Sequence, residues 1–79
     1  MVINILAFGV AKDILKTHAL TLEFDSGTTQ DLKILLEEKF PSLKQLPSYL
    51  IAVNSEYSLN ETRINDGDEI AIIPPVSGG

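Results

Sequence analysis

The sequence predicts an α+β domain in which one mixed sheet packs on a single main helix. Three observations predict it. Short runs rich in β-branched and apolar residues lie toward both ends, at 2–8, 19–24, 49–53 and 69–73. One longer stretch between them, 28–40, carries apolar residues at helical spacing. No internal repeat and no linker interrupts the chain before residue 74.

The run from Val2 to Phe8 is apolar except for Asn4 and predicts a strand, with Ile3, Ile5 and Ala7 on one face and Asn4, Leu6 and Phe8 on the other. Gly9 ends it, and 11–16 predicts a short helical turn or loop. His18 falls in a polar stretch, and a lone loop histidine is assigned no role. From Ala19 to Phe24, Leu20, Leu22 and Phe24 alternate with Thr21 and Glu23, which predicts a half-buried strand forming a hairpin with the first. Asp25-Ser26-Gly27 predicts a turn.

The main helix is predicted over Thr28–Phe40. Thr28 caps it, and Asp31 stands where a capping-box Glu would. Leu32, Leu35, Leu36 and Phe40 make one apolar stripe. Glu37, Glu38 and Lys39 lie mostly on the other side and read as a solvated face, not an acid–base couple. Ile34 falls off the stripe and has no assigned place. Pro41 stops the helix.

Residues 42–46 predict a short turn, broken by Pro47. Tyr49–Val53 is the third strand, Asn54-Ser55 a turn and 56–58 a short fourth strand. The connector 59–64 is expected to fold Leu59 and Ile64 back on the core. Asp66-Gly67-Asp68 predicts a tight turn with Gly67 at positive φ. The acidic residues at 66, 68 and 69 do not complete a calcium loop. Glu69–Ile73 is the last strand.

This order is that of the β-grasp, or ubiquitin-like, fold, whose first and last strands lie parallel at the centre of the sheet. Two expectations follow. Ile3, Ile5, Ile70 and Ile72 face the helix stripe and form the core. Leu6, Phe8, Ala71 and Ile73 share the opposite face, with Tyr57 extending the patch. A contiguous apolar patch on that face points to a protein interface.

Seventy-nine residues make one domain with a thin core. The chain has no cysteine and one histidine, which argues against a disulfide or a structural zinc site. A net charge of −5 argues against nucleic acid and anionic membranes as partners. No apolar run approaches the ~18 residues that suggest a membrane span, and the first residues read as a strand, so a cytoplasmic protein is expected. No P-loop, no HExxH helix and no cysteine nucleophile is present, so no intrinsic catalytic residue is assigned.

The segment 74–79 reads as an extended tail on a 1–73 domain. Consecutive prolines cannot continue a central strand, and they favour an extended, stiff chain. Six extended residues reach roughly 20 Å. Gly78 and Gly79 have no side chain, so they fit a channel that any Cβ would block. The tail reads as a probe whose α-carboxylate is the working group. Activated by a partner enzyme as an acyl-adenylate, that carboxylate would become a thiocarboxylate, or be captured by lysine or cysteine.

Several stretches carry a resemblance. Asp66-Gly67-Asp68-Glu69, the strand after it and Pro74-Pro75-Val76-Ser77-Gly78-Gly79 resemble the end of the small subunit of molybdopterin synthase, a ubiquitin-like sulfur carrier family. Ile51-Ala52-Val53-Asn54 and Leu6-Ala7-Phe8-Gly9 with Lys12-Asp13 are similar to the same family. The resemblance implies that Gly79 is adenylated and then bears sulfur as a thiocarboxylate. Gly78, Ser77, Val76, Pro75 and Pro74 form the inserting tail. Phe8, Tyr57, Ile73 and Leu6 face a large catalytic subunit, with an aliphatic at Ile73 where an aromatic is common. It further implies sulfur transfer to cyclic pyranopterin monophosphate, an adenylating enzyme of the ubiquitin-activating type that uses ATP, no cofactor bound by the carrier itself, and a heterotetramer. The alternatives are a carrier for thiamine synthesis or tRNA thiolation, a lysine-conjugating modifier, or a plain interaction domain.

Overall fold

In a computed structural model, which describes residues 1–25 and 27–74, eight elements follow the predicted order. They are β1 (Val2–Ala7), α1 (Val10–Leu15), β2 (Ala19–Glu23), α2 (Thr29–Lys39), a 3-10 turn (Pro41–Gln45), β3 (Leu50–Val53), β4 (Glu56–Tyr57) and β5 (Glu69–Ile73). The sheet runs β2-β1-β5-β3-β4. β1 and β5 are parallel, and the other neighbours are antiparallel. The expected turn at 25–27 includes Ser26, which lies outside the described residues, as do Pro75–Gly79.

Helix α2 begins where the sequence chemistry puts it. The Thr28 hydroxyl accepts from the Asp31 N–H, and the Asp31 carboxylate accepts from the Thr28 N–H, so both halves of a capping box are made. Leu32 and Leu36 are fully buried, while Leu35 and Phe40 pack against the core at its margin. Ile34, which has no place on the stripe, is 50% exposed. The core-facing side of the sheet supplies Ile3, Ile5, Ile70 and Ile72, each with no exposed surface. Ile5 stands beside Ile70 and Ile72 beside Ile51 in the registers, so the centre of the sheet is a block of β-branched side chains under the helix.

One expectation is corrected. Ile64 is buried, but Leu59 is 74% exposed. The Leu59 N–H donates to the Thr62 hydroxyl, and the Thr62 N–H donates back to the Leu59 carbonyl. Thr29 and Gln30 N–H groups donate to the Thr62 and Asn60 carbonyls. The connector is thus held to the first turn of α2 through its backbone, and only its far end reaches the core.

Tyr49 braces the other end of α2. Its hydroxyl donates to Glu37, and the Lys33 ammonium lies 5.1 Å from its ring centroid. Burial, the hydrogen bond to Glu37 and the charge of Glu37 together hold this phenol well above the usual tyrosine range.

Candidate functional site

Because side chains alternate along a strand, the registers define what lies on the face away from α2. Toward the start of β5, Asn4, Glu69 and Asn54 form a polar row. The next row on that face reads Ala19, Leu6, Ala71, Ala52, Tyr57 across all five strands. The row nearest the end of β5 places Leu50 opposite Ile73. Continuing the β1–β5 register by one residue sets Phe8 level with Ile73. The face therefore turns from polar to apolar along β5, toward the point where the chain leaves the sheet.

Three large apolar side chains of this face are open to solvent. Phe8 is 51% exposed, Leu50 54% and Tyr57 72%. Leu6, Ala71 and Ile73 are half-buried between them. Burying the exposed part of one such side chain under a partner contributes roughly 1 kcal/mol.

The polar end of the face is a tie between β1, β3 and β5. The Asn54 side chain donates to Asp68 over 3.0 Å and accepts from the Glu69 N–H over 3.0 Å. Asp68 also accepts from the Asn65 N–H. Asp66 accepts from the Val2 N–H, the Gly67 N–H donates to the Val2 carbonyl, and the Asn4 N–H donates to the Asp68 carbonyl. The acidic turn thus anchors the start of β5 between its two neighbours. Among the described residues, no group of three or more His, Cys, Asp or Glu side chains could hold a metal ion.

Of the residues singled out from sequence, Leu6, Phe8, Tyr57 and Ile73 are brought to one face, together with Ala71. Pro74 follows directly on β5, while Pro75, Val76, Ser77, Gly78 and Gly79 lie outside the described residues. Two residues were missed. Leu50 lies in a strand that is apolar throughout, and only the register opposite Ile73 puts it on the outer face. Asn54 was read as a turn residue, and its positive φ of 52° fits that, but its amide is also the central tie. The Val-Asn pair before the hairpin and the later Asp-Gly-Asp-Glu run were the available signal.

The profile of the ThiS family matches residues 5–79. The chain belongs to the ThiS family. Within the relatives of this ThiS-family chain, a molybdopterin synthase sulfur carrier subunit from Arabidopsis thaliana is 42% identical over 79 residues, covering 98% of this chain and 82% of the relative. A chain from the complex of subunits 1 and 2 of the molybdopterin-converting factor of Helicobacter pylori is 29% identical, covers 100% of both chains and superposes with a TM-score of 0.71. Small archaeal modifier protein 1 from Methanosarcina acetivorans is 27% identical, covers 99% of this chain and 96% of the other, and has a TM-score of 0.79. The β-grasp architecture of this chain is thus shared with a chain of the molybdopterin-converting factor complex and with an archaeal modifier protein. No helix among the described residues is long and apolar enough to cross a membrane.

Proposed function

We propose that this chain is the sulfur carrier subunit of molybdopterin synthase and is not itself a catalyst. The observation that carries the reading is the convergence of the apolar rows on the root of the tail: Phe8, Leu50 and Ile73 surround the point from which Pro74 departs. A partner docked on that face would receive the tail at the same time. The similarity to a subunit 1–subunit 2 complex supports a large catalytic subunit as that partner.

The chemistry proposed for the tail follows from its carboxylate. Gly79 bears no leaving group, so its carboxylate attacks the α-phosphorus of ATP on an adenylating enzyme of the ubiquitin-activating type, and pyrophosphate departs. A donor persulfide then displaces AMP to give an acyl disulfide, and a second thiol, which becomes disulfide-bonded to the donor sulfur, cleaves it and leaves a thiocarboxylate on Gly79. Gly78 keeps the end narrow, and Ser77, Val76, Pro75 and Pro74 span the distance to the large subunit's site. There the sulfur passes to cyclic pyranopterin monophosphate for molybdenum cofactor synthesis. Two sulfurs per product consume two loaded carriers, which suits a heterotetramer of two small and two large subunits. ATP belongs to the activating enzyme, and the carrier holds no cofactor. A cytoplasmic location, where ATP is available, fits this chemistry.

The similarity to an archaeal modifier favours a second reading, in which the activated Gly79 is captured by a lysine of another protein. Intact-mass analysis after incubation with extract, ATP and a sulfur source separates the two. Replacement of one oxygen by sulfur, lost on deletion of Gly79, supports the carrier. Heavier isopeptide conjugates with no sulfur-bearing form support the modifier.

A further inference from the structure

Gly9 and Pro74 meet where β1 turns into α1 and β5 ends. Gly9 has φ 55° and ψ −132°, close to the first central position of a type II′ turn and costly for any residue with a Cβ. The Ala11 N–H closes that turn onto the Phe8 carbonyl over 3.0 Å. A Cβ built on Gly9 would stand 3.1 Å from Cγ of Pro74, tighter than ordinary van der Waals contact. The missing side chain therefore does two separate things. It lets the turn form, and it leaves a notch beside the proline ring.

Pro74 is the first residue past β5 and has a ring-fixed φ. A ring lodged at the root of an extension limits the directions in which the following residues can leave. We propose that Gly9 is a positioning residue for sulfur transfer: its notch seats the Pro74 ring and so aims the tail. The proposal rests on the carrier reading for its consequence, but the seat itself is a property of the free chain. Misplacement of a reacting group by about 1 Å can cost on the order of 10²-fold in rate.

The chain has no cysteine, so Ser77→Cys and Glu38→Cys give two clean sites for spin labels, Glu38 being exposed on α2. Distance distributions between them are measured in four backgrounds: otherwise wild type, Pro74→Ala, Gly9→Ala, and both changes. Pro74→Ala and Gly9→Ala are each expected to broaden or displace the distribution, with the double variant no more altered than the worse single one. A D-alanine at position 9, introduced by chemical synthesis, tolerates the positive φ and turns its methyl away from the notch. It is expected to keep the wild-type distribution, which separates collision with Pro74 from strain in the turn.

An unchanged distribution in Gly9→Ala, or changes that simply add, overturns the seat. In single-turnover discharge at saturating large subunit, without the labels, thiocarboxylated Pro74→Ala is expected to be at least about tenfold slower than wild type. Saturating large subunit keeps any loss of affinity out of this rate. Discharge at the wild-type rate overturns the positioning role. If wild-type protein never discharges sulfur while the label distances behave as expected, the carrier reading fails and the seat stands.

Discussion

Leu50 stands directly opposite Ile73 across the β3–β5 ladder, on the face away from the helix, and is 54% exposed. The pair joins Phe8 and Tyr57 into one surface that ends at the tail. Changing Leu50, Phe8 or Ile73 to Asp is expected to weaken binding to the large subunit by about 10- to 100-fold, or roughly 1.4–2.8 kcal/mol. Titration calorimetry with each variant checks this. Phe8→Asp and Leu50→Asp should leave the far-UV spectrum unchanged and Tm within a few degrees, since both side chains are already open to water.

Buried and exposed leucines and isoleucines should part sharply in stability. Ile70→Ala removes buried methyl groups at the centre of the sheet and is expected to cost about 2–5 kcal/mol, lowering Tm by more than about 10 °C. Leu59→Ser, at a side chain 74% exposed, should change stability by no more than about 0.5 kcal/mol. Urea unfolding of both variants gives the comparison.

Asn54→Ala breaks two hydrogen bonds at once and leaves Asp68 and the Glu69 N–H short of a partner. It also puts alanine at a positive φ. A loss of about 1–3 kcal/mol is expected. Hydrogen exchange should quicken at Asn4 and Glu69, where β5 is tied in, more than at the centre of α2.

Tyr49 gives the chain a defined alkaline limit. Its phenol is raised above the ordinary value of about 10, so the neutral form is favoured in the folded state. The stabilisation is fully present below about pH 10 and is lost as pH rises toward the folded-state value. Tyr49→Phe should therefore be less stable than wild type by about 1–2 kcal/mol at neutral pH. That gap should stay level from about pH 6 to about pH 9 and narrow above about pH 10. Chemical unfolding across this range measures it.

The elements were legible where local chemistry and global packing agree. Thr28 and Asp31 announce the start of α2, and Leu32 and Leu36 give its buried stripe. Alternation in β1 and β5 was enough to divide Ile5 and Ile70 from Leu6 and Ala71. The candidate site was legible where the same alternation reached it, at Leu6, Ala71 and Ile73. It was not legible at Leu50, because Leu50-Ile51-Ala52-Val53 is apolar throughout and only pairing decides which residue faces out. Leu59 was misread because composition cannot see the backbone ties of its turn to Thr29 and Gln30. The contact of Gly9 with Pro74 joins opposite ends of the chain and leaves no local trace in the sequence.

The parallel pairing of β1 with β5 also has a mechanical consequence. Met1 precedes one end of β1, and the tail leaves from the opposite end of β5. A pull on the tail, resisted through the start of β1, slides these two strands along each other and loads Asn4–Glu69 through Ala7–Ile72 together. Bonds strained in shear share the load, whereas bonds peeled from one end fail in turn. If the last residues are drawn into a partner's channel and released again, as proposed above, this is the geometry that best resists unravelling from that end.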